Sequence, residues 1–466
     1  LVRAGVVVVV AAYVLGVLPA AAQPPAPPTP TTPTPGTPTP SAESPTGVTE
    51  GPTPSGILPS VQIPGVLLPP RNVLDFLYAP PAQGPLTLTP SLAITEEFND
   101  NVFLTHSNKR SDFITQFTPG LTLQAQQPGF QFLSSFNFTA EIYAKETELN
   151  NAANRIYFLT SVSYQATPSV TLSLTENLSF SRDNSNTATI SGVSSGRGET
   201  WTNVLAPAVS VQLTPRTTWR VSGAYTLERF SSNNGSNSGS NNRGSNNGDS
   251  NIYRVGTGFD HTLTPRLTLT AAYDFGYLDV QQEPTAFNHT LRFGGSYRLT
   301  PTLTVSGTAG PSWLVTDRDT TITPSVSARI NKQMSWGFMS AFYDRAIGTS
   351  GGFGGLSDNQ TFGGNITVST LLRGLYLDLS PRYSMTKTTG ASRSNSDINT
   401  LTVTLTARYQ IARYIGLVGG YSYLHQTGSG NGNTGTSGTS GTSNDVDVDQ
   451  NRVTFGIQFG YPINFY

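Results

Sequence analysis

From about Leu86 to the end of the chain, apolar and polar residues alternate one by one. Val170, Leu172, Leu174, Leu178 and Phe180 are interleaved with Thr171, Ser173, Thr175, Asn177 and Ser179, and only Glu176 interrupts the apolar row. Leu401, Val403, Leu405, Ala407, Tyr409 and Ile411 alternate with Thr402, Thr404, Thr406, Arg408 and Gln410. Val453, Phe455, Ile457, Phe459, Tyr461, Ile463 and Phe465 make a third such row. A period of two places the two sets on opposite faces of a β-strand, whereas a helix scatters both around its axis. Many runs last about 12 to 15 residues, against roughly five or six for a typical globular strand. A tilted strand that crosses a bilayer needs about 9–11 residues plus its extensions.

The breaks between runs are of two kinds. One kind is tight: Thr167-Pro168, Leu213-Thr-Pro-Arg216, Leu263-Thr-Pro-Arg266 and Leu299-Thr-Pro-Thr302, with Asn331-Lys332, Arg373-Gly374 and Ala412-Arg413 in the same role. Proline lacks the ladder donor and presets φ, so each Thr-Pro predicts a strand end and a turn. The other kind is long and built of Gly, Ser, Asn and Thr, as in Ser231–Ser250 and Gly428–Asn444. Short turns at one end and long loops at the other are the asymmetry of an outer-membrane barrel. The expected fold is all-β, a transmembrane antiparallel up-and-down β-barrel of about 18 strands, with 16 as the neighbouring even count.

Composition fits a chain with one face toward lipid and one toward a polar lumen. Charged residues are 12% and hydrophobic residues 36%, too little charge for a large soluble sheet stack and too little hydrophobicity for a helical membrane protein. Cysteine is absent, which excludes disulfides, thiolate metal sites and cysteine nucleophiles. A formal net charge of −1 gives no electrostatic case for a nucleic-acid partner. No cofactor motif is present, and His106, His261, His289 and His425 have no metal-ligand spacing. His289 lies in an apolar row, where a barrel hydrolase could keep its base, but a strand-end histidine is the simpler reading.

Three segments are expected. Residues 1–22 read as a signal peptide, with Arg3, an apolar run from Val6 to Leu18, and small residues before cleavage after Ala22. Residues 23–84 are rich in Pro and Thr and read as an extended periplasmic linker. Residues 85–466 are the barrel.

Two stretches resemble a known family. The C-terminus, Gln458-Phe-Gly460-Tyr-Pro-Ile463-Asn-Phe465, resembles the assembly signal of outer-membrane barrels, with Tyr466 beyond the usual end and Pro462 unusual in a strand. The first hairpin, Thr95-Glu-Glu-Phe-Asn-Asp-Asn-Val-Phe-Leu104 followed by Lys109-Arg-Ser-Asp-Phe-Ile-Thr-Gln-Phe-Thr-Pro-Gly-Leu121, resembles the family of outer-membrane β-barrel porins linked with exopolysaccharide and exosortase (PEP-CTERM) systems. The resemblance implies a non-enzymatic porin-like protein of the Gram-negative cell outer membrane, built by the barrel-assembly machinery, and it implies no particular substrate. Asp100, Asn101 and Asp112 in this hairpin read most simply as turn residues.

With the apolar rows toward lipid, the polar rows face the lumen. They would place Lys145, Arg155, Arg220, Arg254, Arg292, Arg298, Arg329, Arg345, Arg382, Arg408 and Arg452 along a pore, against Glu97, Glu141, Glu228, Asp260, Asp274 and Asp378. Arginine-lined pores favour anions, so the expected solutes are small or anionic molecules, including an acidic polysaccharide. The other reading pairs these arginines with the acids in an occluded structural barrel with no transport.

Overall fold

The computed structural model of the chain describes residues 85–183, 198–231, 248–281, 283–351, 355–369, 371–389, 396–430 and 445–465. The expected signal peptide and linker therefore lie outside the described residues, as do most of the two long polar loops and Tyr466. The strands are β1 (Leu86–Asn99), β2 (Asp112–Gln127), β3 (Phe130–Tyr143), β4 (Asn151–Thr167), β5 (Val170–Ser181) and β6 (Glu199–Thr214). Then come β7 (Thr217–Ser231), β8 (Ser250–Thr264), β9 (Leu267–Val280), β10 (Ala286–Thr300), β11 (Leu303–Thr316) and β12 (Thr320–Met334). The last are β13 (Gly337–Thr349), β14 (Leu356–Val368), β15 (Leu375–Thr388), β16 (Ser396–Ala412), β17 (Ile415–Gly430), β18 (Asp445–Gly460) and β19 (Ile463–Phe465).

From β1 to β18 every strand pairs antiparallel with its neighbour in sequence, and β1 closes the circle against β18 and β19. The two final segments are one strand interrupted at Tyr461-Pro462. Inward and outward phase continue across the break, with Ser91 opposite Gly460 and Leu88 opposite Ile463. Pro462 removes one ladder donor there. The fold is therefore a closed antiparallel barrel of 18 strands. Closure leaves no free edge at the first and last strands, which is what a sheet needs in hydrocarbon.

At one end the strands are joined by tight turns, at Pro128-Gly129, Pro168-Ser169, Pro215-Arg216, Pro265-Arg266, Pro301-Thr302, Ser335-Trp336 and Arg413-Tyr414. Gly129 has φ +73, a conformation glycine adopts without Cβ strain. The turn expected at Asn331-Lys332 instead lies inside β12. Alternation persists there, with Ile330, Lys332 and Met334 sharing one face, so the ladder runs on to Met334. A lysine tolerates that outward position near a strand end because its ammonium can reach the headgroups.

The outer surface is apolar. Phe113, Phe293 and Phe455 are each more than half exposed, and Val255, Ile322, Ile330 and Leu269 share their outward phase. An apolar belt of this extent on a closed barrel is a lipid-facing surface, so the barrel is transmembrane. Tyr225, Tyr253, Tyr277 and Phe287 stand directly opposite one another on β7–β10 with ring centroids 4.9, 6.0 and 5.6 Å apart. Such a row of amphipathic rings suits a membrane interface. His289 lies on this exterior, where its Nδ1 is 2.7 Å from the Tyr273 hydroxyl. Glu176 keeps its outward phase in β5 and accepts a hydrogen bond from Asn203 Nδ2 at 3.2 Å.

Candidate functional site: the barrel lumen

Cross-strand register decides which side chains face inward. Arg155, Arg220, Arg254, Arg292, Arg298, Arg329, Arg382, Arg408 and Arg452 all lie in the inward phase. Two of the expected residues do not. Lys145 is past the end of β3, in a loop at the barrel end opposite the tight turns, which we call the outer mouth, and is exposed, with its ammonium 3.3 Å from the Ser111 carbonyl. Arg345 pairs with Val326 in the outward phase and bonds Asp358 through Nε at 3.1 Å and Nη2 at 2.6 Å. Simple alternation fails for Lys145 because it lies off the wall, and for Arg345 because Phe338, Phe342 and Ala346 make the opposite, inward phase of β13 look apolar.

The inward carboxylates are Glu97, Asp112, Glu141, Glu228, Asp260, Asp274, Asp344 and Asp378. The sequence reading omitted Asp112 and Asp344, so the wall is closer to charge balance than it expected. Three regions divide this charge.

The first is a buried network at the outer end of β1–β4 and β18. Arg452 Nε and Nη2 each lie 2.8 Å from Glu97 Oε1, and Nη1 lies 3.1 Å from Asp183, just past β5. Arg155 Nη2 is 3.0 Å from Glu141, which also accepts from the Tyr143 hydroxyl at 2.7 Å and Asn154 Nδ2 at 2.8 Å. Gln116 Nε2 joins the two carboxylates, at 3.2 Å from Glu97 and 3.4 Å from Glu141. Water is excluded from most of these groups, so their charge is spent on one another.

The second is loop 100–111, which enters the mouth. Leu104 packs on Ile398, Leu424 and Val448, inward residues of β16–β18, and Val102 packs with Ile114 and Tyr143. Asn101 Nδ2 donates to the carbonyls of Thr105 and Asp449, both at 2.8 Å, and Asp100 accepts from the Asn451 backbone at 2.7 Å. Asp112 accepts from the backbone N–H of Lys145 and Glu146. The three polar residues singled out in the first hairpin thus fasten loops, in line with the turn reading.

The third is the middle and turn-end part of the wall. Arg292 pairs with Asp274 and Arg220 with Asp260. Arg329, Phe342, Gly363 and Arg382 stand directly opposite one another on β12–β15, in one inward row. Both guanidiniums approach the Phe342 ring, with Cζ at 5.6 Å for Arg329 and 5.8 Å for Arg382. The ring lies over Gly363, where a Cβ would come within 2.4 Å of it. Glycine at 363 is what lets the phenyl lie flat along the wall between two cations. Among the described residues, neither Arg298 nor Arg329 makes an ion pair with a carboxylate. The sequence did not reveal the row, because Phe342 shares its phase in β13 with Phe338 and Ala346 and so reads as lipid-facing, and only register aligns the four residues.

No family model matches this sequence, and no curated protein matches it. Similar solved structures include OpdQ of Pseudomonas aeruginosa, at 11% identity and TM-score 0.39, covering 81% of this chain and 98% of that one. OccAB4 of Acinetobacter baumannii is similar at 10% identity and TM-score 0.40, covering 82% and 100% of the two chains. Pseudomonas aeruginosa OpdO is similar at 13% identity and TM-score 0.39, covering 81% and 97%. At these identities the likeness assigns no substrate.

Proposed function

We propose that this chain is a porin-like channel of the cell outer membrane that passes small anionic solutes. One observation carries the reading: the inward row Arg329–Phe342–Gly363–Arg382, a flat aromatic surface flanked by two guanidiniums on the lumenal wall. A guanidinium presents a planar fork to a carboxylate or phosphate, and the ring offers apolar contact to the rest of the solute. Arg298, nearer the turn end of the same wall, extends the positive track. The barrel-assembly machinery and outer-membrane lipid are its expected partners. The resemblance in the first hairpin extends the solute class to acidic polysaccharide. Lys145, at the outer mouth, would meet such an anion first.

Planar-bilayer recording of the purified barrel tests this. The expected result is a reversal potential that favours anions, and that moves toward cations in R329A/R382A at unchanged folding. Cation preference in the unmodified protein would overturn the reading, and absence of conductance would return it to an occluded structural barrel.

A further inference from the structure

The barrel wall is not flush all the way round. β12 pairs with β13 only from Val326–Arg345 to Met334–Gly337, although β12 begins at Thr320 and β13 runs on to Thr349. Residues 320–325 of β12 keep their pairing with β11 but, among the described residues, have no ladder partner on the β13 side. Pro324 lies two residues beyond the last pair, and a proline has no N–H for a ladder, so the sequence itself favours a break at this point.

Beyond the break, the ends of β13 and β14 go inside. Ile347 and Leu356 have the outward phase of Arg345, which in a flush wall faces lipid. They are instead 2% and 1% exposed, packed on Ile252, Leu278, Val280, Ala286 and Leu314. Those five are inward residues of β8–β11. The hairpin therefore lies against the inner face of the neighbouring wall, overlapping it like a shingle, and β13 reaches β11 without pairing to it. Polar contacts hold it there. Thr349 Oγ1 donates to Glu228 Oε2 at 2.9 Å, Ser250 Oγ donates to the same oxygen at 2.8 Å, and Arg254 Nη2 donates to the Ile347 carbonyl at 3.1 Å.

We infer that the outer ends of β13 and β14 are a hinged flap, which exchanges between this tucked position and a place in the wall against the free edge of β12. The β12–β13 register, continued, puts Pro324 opposite Ile347 and Ile322 opposite Thr349. Swinging out would clear the outer mouth beside Arg254 and Glu228. Tucking in covers the apolar lumenal patch of β8–β11, which makes the tucked position the resting one. The effect on solutes rests on the channel reading above, but the hinge does not.

The absence of cysteine makes the test direct. Directly opposed strand residues have Cα atoms about 4.5–5.5 Å apart, within reach of a disulfide. A328C/Y343C, a pair in register in the structure, is the control and should cross-link fully under mild oxidant in proteoliposomes. I322C/T349C, which keeps Pro324, should cross-link more slowly through the swung-out position. P324C/I347C should do the same, and adding Thr349→Val should raise its rate about tenfold by removing a buried bond to a carboxylate. Oxidised I322C/T349C should conduct more than its reduced form. Complete cross-linking of the control with none in I322C/T349C would overturn the flap. Cross-linking without conductance in either redox state would uphold the flap and sink the channel reading.

Discussion

Arg452 Nε lies 2.8 Å from Glu97 Oε1, across the line where the last long strand meets the first. Both side chains are buried, and Arg452 also reaches Asp183. Removing one member of a buried ion pair leaves an uncompensated charge, at a cost of about 3–5 kcal/mol. Arg452→Met should lower the urea midpoint of the folded barrel by a corresponding amount. E97M/R452M should recover part of that loss, because Glu97 no longer sits unpaired. An unchanged midpoint in Arg452→Met would show that the seam pair contributes nothing.

Gly363 sets the position of the Phe342 ring. Gly363→Ala places a Cβ where the ring now lies, so the ring must lift from the wall. The barrel should still fold, as judged by heat-modified gel mobility, while anion preference falls toward that of R329A/R382A. Retention of full preference would separate the ring from selectivity.

Glu176 faces outward in β5, with only Asn203 as a hydrogen-bond donor among the described residues. An acidic side chain on a lipid-facing row costs up to about 2 kcal/mol. Glu176→Leu should therefore stabilise the barrel in phospholipid bilayers by about 1 kcal/mol. Loss of stability would mean that the carboxylate serves a protein contact.

Phe465 pairs with Leu86, and Ile463 with Leu88, at the turn end of the closing strand. Gln458 is buried inward and Gly460 opposes Ser91. Phe465→Ser should reduce the amount of folded barrel recovered from outer-membrane fractions, without shifting the urea midpoint of the fraction that does fold. Normal recovery would remove Phe465 from the assembly signal.

Fold was legible in the sequence because strand phase and Thr-Pro punctuation are local properties. Alternation begins at Leu86 and resumes at Val170 in the sequence, and the structure begins strands at both. Inward phase was equally legible for Arg220, Arg298 and Arg408. Tertiary departures from the wall were not. Ile252, Leu278, Ile398 and Leu424 are apolar residues in an inward, otherwise polar phase near the outer strand ends. They mark where something folds in to cover them, yet alternation alone reads them as noise. Arg345 was misplaced because both faces of β13 are mixed, with Phe338, Phe342 and Ala346 inward and Met339, Tyr343 and Ile347 in the phase of Arg345. Ion pairing was also hidden, because Asp183 joins Arg155 and Arg452 from beyond the end of its strand.

Loop 100–111, near the start of the chain, rests on residues from its very end. Leu104 needs Ile398, Leu424 and Val448, while Asn101 bonds the Asp449 carbonyl and accepts through its own carbonyl from Gln450 Nε2. None of these contacts exists until β16, β17 and β18 are in place. Val102 has a seat of its own on Ile114 and Tyr143 of the adjoining strands, but the rest of the loop is seated only when the last strands lie beside the first. Sealing of the wall and full seating of loop 100–111 are therefore one event, whichever strands come first.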